Sequence, residues 1–373
     1  DIDGDGKPDL VVPNNEGANL SIALNDGHGG FHSSPPPAGP ARFYFVADLN
    51  GDGKLDAVGG QPAGWYPGDL QKVNVQLGNG DTTFRAPVPY ATHLAPQFVV
   101  PADVNHDGVL DILMLEAQSD QTGSLTVLFG NGDGTFRPEI DQPVPPGAIA
   151  FAVADLDGDG YPDVVEAYLH DRIRVQLGNG DGTFRAAVEY AMDVEFGPFA
   201  VADLNGDGKP DLAVIVLGTV RLMLGNGDGT FRPGPDTTSL SGYGPTAADV
   251  NGDGKLDLLL QVEPSFPPGN TVEVFLGGGD GSFTRRGSVV AGASLVSIDV
   301  ADVTGDGKLD LVLYSPWTQT MTLLQGDGAG AFDTRIDYGA PGTGGIAVGD
   351  VTGDGRPDLL VSEGPIFIAA CQP

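Results

Sequence analysis

Eight copies of one acidic nonapeptide, Asp-x-[Asp/Asn/Thr]-x-Asp-Gly-x-x-Asp, recur along this chain at intervals of 46 to 55 residues. That period constrains the fold more than composition does. Each unit is one small supersecondary element, and an element of this size buries its apolar faces only against its neighbours. The copies begin at Asp1, Asp48, Asp103, Asp155, Asp203, Asp249, Asp302 and Asp350. Carboxylates on alternate residues of a tight turn converge on one point, where only a hard cation relieves their repulsion. The glycine after the third acid supplies the positive-φ bend that wraps the loop around such an ion.

The spacing resembles the first half of an EF-hand, with oxygen ligands at positions 1, 3 and 5 and a backbone carbonyl at position 7. The second half differs, because position 9 is always aspartate and short apolar runs follow instead of helices. In the fourth copy the loop lies between Phe151-Ala152-Val153-Ala154 and Val164-Val165-Glu166-Ala167-Tyr168, two β-rich runs. The expectation is a Ca²⁺ loop inside a β-hairpin, closed by the ninth-position aspartate, with up to eight ions in all. The candidate ligands are Asp1, Asp3, Asp5, Lys7 and Asp9 in the first loop and Asp48, Asn50, Asp52, Lys54 and Asp56 in the second. The third and fourth loops offer Asp103, Asn105, Asp107, Val109 and Asp111, then Asp155, Asp157, Asp159, Tyr161 and Asp163. The fifth and sixth offer Asp203, Asn205, Asp207, Lys209 and Asp211, then Asp249, Asn251, Asp253, Lys255 and Asp257. The last two offer Asp302, Thr304, Asp306, Lys308 and Asp310, then Asp350, Thr352, Asp354, Arg356 and Asp358. Asp-Gly turns are also ordinary hairpin turns. Eight copies that keep their acids or Asn/Thr surrogates would crowd charge into every turn without benefit if no cation were bound. Magnesium, with its small octahedral shell, suits such a cage less well than calcium. Thr304 and Thr352 offer only a hydroxyl at position 3, so the last two sites are expected to bind more weakly.

The charge balance agrees. The loops hold 26 of the 51 acidic residues, and eight divalent ions would bring the net charge of −33 to about −17. An acidic surface without a Lys/Arg cluster excludes nucleic acid and anionic lipid as partners. No apolar run reaches the ~20 residues needed to span a bilayer. The single cysteine, Cys371, excludes an intrachain disulfide. Extracellular modules of this kind bind Ca²⁺ at ~10⁻⁴ to 10⁻³ M, a range filled outside cells and empty in cytosol, so an extracellular or cell-surface location is expected. Asp1 already stands at ligand position 1, and upstream residues are expected to have been removed or not recovered.

A second element alternates with the first. It reads Leu-Gly-Asn-Gly-Asp-Gly-Thr-Phe at both 177–184 and 224–231, with variants at 24–31, 77–84, 129–136, 276–283 and 324–332. Each follows a strand-like run such as Arg172-Ile173-Arg174-Val175-Gln176-Leu177, and its glycines permit a tight hairpin. Turn chemistry accounts for Asp181 and Asp228, which stay outside the metal set. One repeat therefore reads as strand A, acidic loop, strand B, a variable connection, strand C, glycine hairpin and strand D, with almost no helical periodicity. Four-stranded units of this length are blades arranged around an axis. Ala152, Val153, Ala202, Leu212, Val214, Leu258 and Leu260 are expected between blades.

Val-Ala-Asp-Leu-Asn-Gly-Asp-Gly-Lys-Pro-Asp-Leu at 201–212, paired with the hairpin at 224–231, resembles the repeat of the FG-GAP, or VCBS-type, family, and the resemblance covers essentially the whole chain. It implies an all-β, calcium-stabilised β-propeller of four-stranded antiparallel blades, similar to the head of integrin α subunits and to certain propeller lectins. Residues 1–373 then form one domain of eight repeats, the first lacking its A strand and the last its D strand. Eight loops favour eight blades, with seven as the alternative.

In an antiparallel blade the A–B and C–D turns share one end, so the variable B–C and D–A connections share the other. These connections hold Trp65, Tyr66, Trp317, Phe266, Tyr243, His93 and the segment 192–196. Exposed aromatics beside Asp, Asn and Gln suit a sugar-binding face, and Trp65, Tyr66 and Trp317 are the candidate ligand-binding residues; rings that merely cover blade ends are the competing explanation. The five histidines are scattered, and no nucleophile elbow, His-Glu-x-x-His or paired-cysteine motif occurs, so an enzyme is not expected. The expected function is adhesion through a glycan or an extracellular protein. The alternative is a structural subunit of a filament or surface layer that self-assembles through open terminal blades. A polysaccharide-lyase-like enzyme ranks last.

Overall fold

The strands form where the sequence places short β-branched and aliphatic runs between the two kinds of turn. A computed structural model describes residues 10–13, 20–25, 31–34, 42–60, 72–80, 83–117, 123–137, 140–192, 199–235, 237, 240, 242–262, 270–292, 297–302, 304, 306–315, 320–339, 346–349 and 358–361. These residues contain 29 strands in eight antiparallel sheets and no helix. Six sheets are four-stranded meanders, here called blades two to seven; the first sheet has three strands and the last two among the described residues. The architecture is an all-β propeller of seven to eight blades.

Blade four shows the unit. Its strands are β12 (Ala148–Ala154), β13 (Asp163–Tyr168), β14 (Arg172–Gln176) and β15 (Val188–Ala191), paired in that order and numbered in chain order. Every residue of β13 is buried, because a second strand is flanked in its own sheet and covered on both faces. Alternate side chains face alternate neighbours. Val164 packs with Leu113, Leu125 and Val127 of blade three, whereas Val165 and Ala167 pack with Leu212, Val214 and Met223 of blade five. Of the residues expected between blades, Leu212, Val214, Leu258 and Leu260 are at most 1 % exposed. Ala152, Val153 and Ala202 are only partly buried. They lie on first strands, which are edges of their sheets, so one side has no backbone partner to cover it.

Neighbouring blades are also tied by polar contacts. The backbone N–H of Phe136 donates to Tyr90 Oη at 3.2 Å, that of Phe184 to Gln142 Oε1 at 3.1 Å, and that of Phe231 to Tyr190 Oη at 2.7 Å. Each hairpin phenylalanine thereby anchors its outer strand to the preceding blade, and Tyr90 and Tyr190 meet the Phe136 and Phe231 rings edge-on.

Candidate metal centre

The acidic loops fold by bonding their own backbone. In loop four Asp155 accepts the N–H of Gly158 at 2.7 Å and of Gly160 at 3.0 Å. Asp157 accepts that of Asp159 at 3.1 Å, and Asp159 that of Tyr161 at 2.9 Å. Loops two, three, five and six repeat the pattern, with Asn50, Asn105, Asn205 and Asn251 accepting the N–H two residues on, each at 2.9 Å. These bonds fix the oxygens at positions 1, 3 and 5 and leave lone pairs free, since a carboxylate has about four acceptor sites. The turn demands a left-handed fourth residue. Four of the described loops use glycine there; loop three uses His106 at φ 59°, and its ring meets Tyr161 of loop four edge-on at 5.5 Å.

The donor set fits a hard cation. In loop four one carboxylate oxygen from each of Asp155, Asp157 and Asp159 lies within 4.8 Å of the others. Oxygens on opposite sides of a Ca²⁺ are separated by up to ~5 Å, so this spacing is already that of a coordination shell. Asp163 is not in that group. When bound, a divalent ion would neutralise the converging carboxylates and add the position-7 carbonyl to them.

The ninth aspartate has a second role that the sequence reading did not assign. It is fully buried in each of blades two to seven, at Asp56, Asp111, Asp163, Asp211, Asp257 and Asp310. One oxygen accepts an N–H from its own loop: Leu49 at 2.9 Å, Val104 at 3.0 Å, Leu156 at 2.8 Å, Leu204 at 3.0 Å, Val250 at 3.0 Å and Thr304 at 3.0 Å. The other accepts an N–H from the glycine hairpin: Gly78, Gly178, Gly225, Gly277 and Gly326 at 2.8 Å and Gly130 at 2.9 Å. The two repeated turns therefore lie at one end of each blade, clamped together by a single carboxylate. Burial pushes the carboxyls of Asp111 and Asp163 up to about 6, while their two N–H donors pull down and the loop carboxylates push up. Asp56, Asp211 and Asp257 are raised for the same reasons, burial first.

Arg185 was also missed. Its guanidinium lies 3.5 Å from Asp157 and 3.6 Å from Asp159 of loop four, which like loop one carries four acids. The recurrence of Phe-Arg after the hairpins, at Arg85, Arg137, Arg185 and Arg232, is the signal that could have found it. The hairpin acids behave as turn residues: Asp133, Asp181 and Asp228 each accept the hydroxyl of the threonine two residues on at 2.5 Å, which holds their carboxyls below the usual range.

Asp1, Asp3, Asp5, Lys7 and Asp9, and Asp350, Thr352, Asp354 and Arg356, lie outside the described residues; of Asp358 only the strand position is described. Trp65, Tyr66 and Trp317 also lie outside them. His93, on the connection after blade two, sits 2.6 Å from Asp141 of blade three.

No curated protein matches the chain. Among solved structures it is similar to an Agrocybe aegerita lectin that recognises non-reducing terminal N-acetylglucosamine, with a TM-score of 0.60 and 22% identity over 89% of this chain and 90% of that one. It is similar to the Pseudomonas aeruginosa periplasmic gluconolactonase PpgL at 0.55 and 13% identity over 98% and 99% of the two chains. BBS1N in complex with ARL6DN gives 0.53 and 12% over 86% and 88%. These likenesses show the propeller fold, which hosts binding proteins and an enzyme alike. The FG-GAP-like repeat matches seven times, at 1–59, 48–114, 115–166, 155–214, 203–260, 265–313 and 302–361, and the chain belongs to that family.

Proposed function

We propose that this chain is an extracellular or cell-surface calcium-binding propeller that serves as an adhesion module, its ions stiffening the blades and its variable connections holding a glycan or protein ligand. The observation that carries this reading is the repeated loop geometry, in which backbone N–H groups hold carboxylate and amide oxygens in place, with three carboxylate oxygens gathered within 4.8 Å in loop four. Preorganised oxygen cages of moderate charge suit millimolar calcium, which argues for a location outside the cytosol. The lectin of the same fold is a precedent for glycan binding, and BBS1N for binding a protein. Trp65, Tyr66 and Trp317 are the proposed ligand-contacting residues.

The test is a glycan and polysaccharide array probed with this protein in millimolar calcium and again in EDTA. Calcium-dependent, saturable binding is expected. A blank array, joined with concentration-dependent self-association in dilute solution, would move the assignment to the structural subunit.

A further inference from the structure

Four residues before the glycine that donates to the ninth aspartate, every third strand of blades two to seven carries a polar residue: Asn74, Thr126, Arg174, Arg221, Glu273 and Thr322. In four blades it is satisfied inside the blade. Thr126 donates to Asp141 at 2.9 Å, Thr322 to Asp337 at 2.7 Å, Glu273 accepts from Arg285 at 2.8 Å, and Arg174 pairs with Glu166 at 2.8 Å. Blade five breaks this pattern twice. Val214 stands opposite Arg221 where Glu166 stands opposite Arg174. The outer strand also stops at Pro233, within Pro233-Gly234-Pro235, short of the level where Asp141, Glu189 and Asp337 flank their partners.

Among the described residues no carboxylate bonds Arg221, and its side chain is exposed. It lines a groove of about 900 Å³ between the outer strand of blade four and the third and outer strands of blade five, together with Tyr190, Met192, Leu217, Met223, Phe231 and a second cation, Arg232. Leu217 is 67% exposed and has φ 51°, a left-handed conformation that a bulky residue rarely takes. The turn thus holds an apolar side chain into solvent at the mouth of the groove.

We propose that this groove binds an amphipathic carboxylate, an aromatic or aliphatic acid whose head pairs with Arg221 and whose body lies along the tyrosine, methionine and leucine side chains. The volume is that of a small-molecule site, and two guanidiniums, Arg221 and Arg232, in an otherwise largely apolar lining fix the orientation of an acid. A guanidinium offers a carboxylate two parallel N–H donors, and apolar surroundings strengthen that pair. A pyranose would need several polar partners for its hydroxyls, which this largely apolar lining does not supply, so the ligand differs in class from a glycan although Met192 and Leu217 lie on the variable connections of blades four and five. The chain's net charge of −33 opposes an anion only at long range, since charges are screened beyond about 8 Å at physiological ionic strength.

The test is calorimetric titration of the whole chain, in millimolar calcium, with 4-phenylbutyrate and with 4-phenylbutan-1-ol, which has the same body and no charge. Saturable one-to-one binding of the acid is expected, with the alcohol about tenfold weaker or more. Arg221→Gln should bring the acid most of the way to the alcohol's affinity while leaving Tm unchanged, the remainder coming from Arg232. Leu217→Asp, compatible with the left-handed turn, should weaken the acid by repulsion and provides the second variant if the first folds poorly. No saturable binding of the acid, equal affinities for acid and alcohol, or native affinity in both variants would overturn the proposal.

Discussion

Gly178 donates its backbone N–H to Asp163 at 2.8 Å, and through this bond the acidic loop and the glycine hairpin of blade four become one unit. The other oxygen of Asp163 holds Leu156 of the acidic loop at 2.8 Å. Asp163→Asn keeps the shape but turns an amide NH₂ toward one of two buried N–H donors. The expected cost is about 1–3 kcal/mol, the usual penalty for a buried donor left unsatisfied. Because this role needs no ion, the loss should persist when melts are run in EDTA. A variant that melts with the native protein in EDTA, and below it only in calcium, would assign Asp163 to the metal alone.

The glycines of the two turns are required for different reasons. Gly158 of the acidic loop has φ 77° with open space where a Cβ would stand. Gly158→Ala should therefore cost only the conformational term, about 1–2 kcal/mol. Gly182 of the hairpin has φ 82°, and a Cβ there would lie 2.1 Å from Phe129 Cζ of blade three. Gly134 and Gly229 meet Leu77 and Leu177 of their preceding blades in the same way, each at 2.3 Å. Gly182→Ala should cost about 2–5 kcal/mol, conformational strain plus overpacking. Urea melts of the two variants decide this, and equal losses would remove the interblade role.

Glu166 has no exposed surface and relies on Arg174, 2.8 Å away, with Tyr168 Oη a further 2.7 Å neighbour. Removing only the cation leaves a buried carboxylate with no counter-charge and, among the described residues, only the Tyr168 hydroxyl donating to it. Arg174→Met should cost about 3–5 kcal/mol, and adding Glu166→Leu should recover most of it, because an apolar pair of similar volume carries no desolvation penalty. A double variant as unstable as the single one would show that the pair contributes more than mutual compensation.

The sequence made the loops, the hairpins and the four-strand order legible, because each turn needs particular acids and glycines at fixed offsets and the strands are what remains between them. The interblade contacts were less legible. Gly182 reads as a hairpin glycine, and nothing in its own repeat announces Phe129 of the previous one. The clamp at the ninth aspartate was hidden because carboxylates that bind ions and carboxylates that accept N–H groups look alike in sequence. Ala152 and Val153 share the apolar character of Val164 and Val165, yet only pairing order shows that the first pair sits on a sheet edge. Arg221 has an acid opposite its counterpart in blade four and a valine opposite itself, a difference that appears only once strand register is known.

The loops also differ in acid count, and this gives the calcium reading a graded test. Loop four brings three carboxylates within 4.8 Å, whereas loop seven has Thr304 at the third position. At ~2 mM calcium and dissociation constants of 10⁻⁴ to 10⁻³ M, each occupied site stabilises the folded chain by about 0.7–1.8 kcal/mol. Chelation should therefore lower Tm, and an unchanged melt in EDTA would overturn calcium binding altogether. Asp159→Ala removes a charged ligand from the stronger site and should erase most of that site's contribution in calcium, with a smaller effect in EDTA. Thr304→Ala removes only a hydroxyl from a weaker site and should shift Tm less. If the two substitutions lower the calcium-loaded Tm equally, carboxylate count does not set affinity among these loops, and the backbone N–H scaffold they share would have to set it instead.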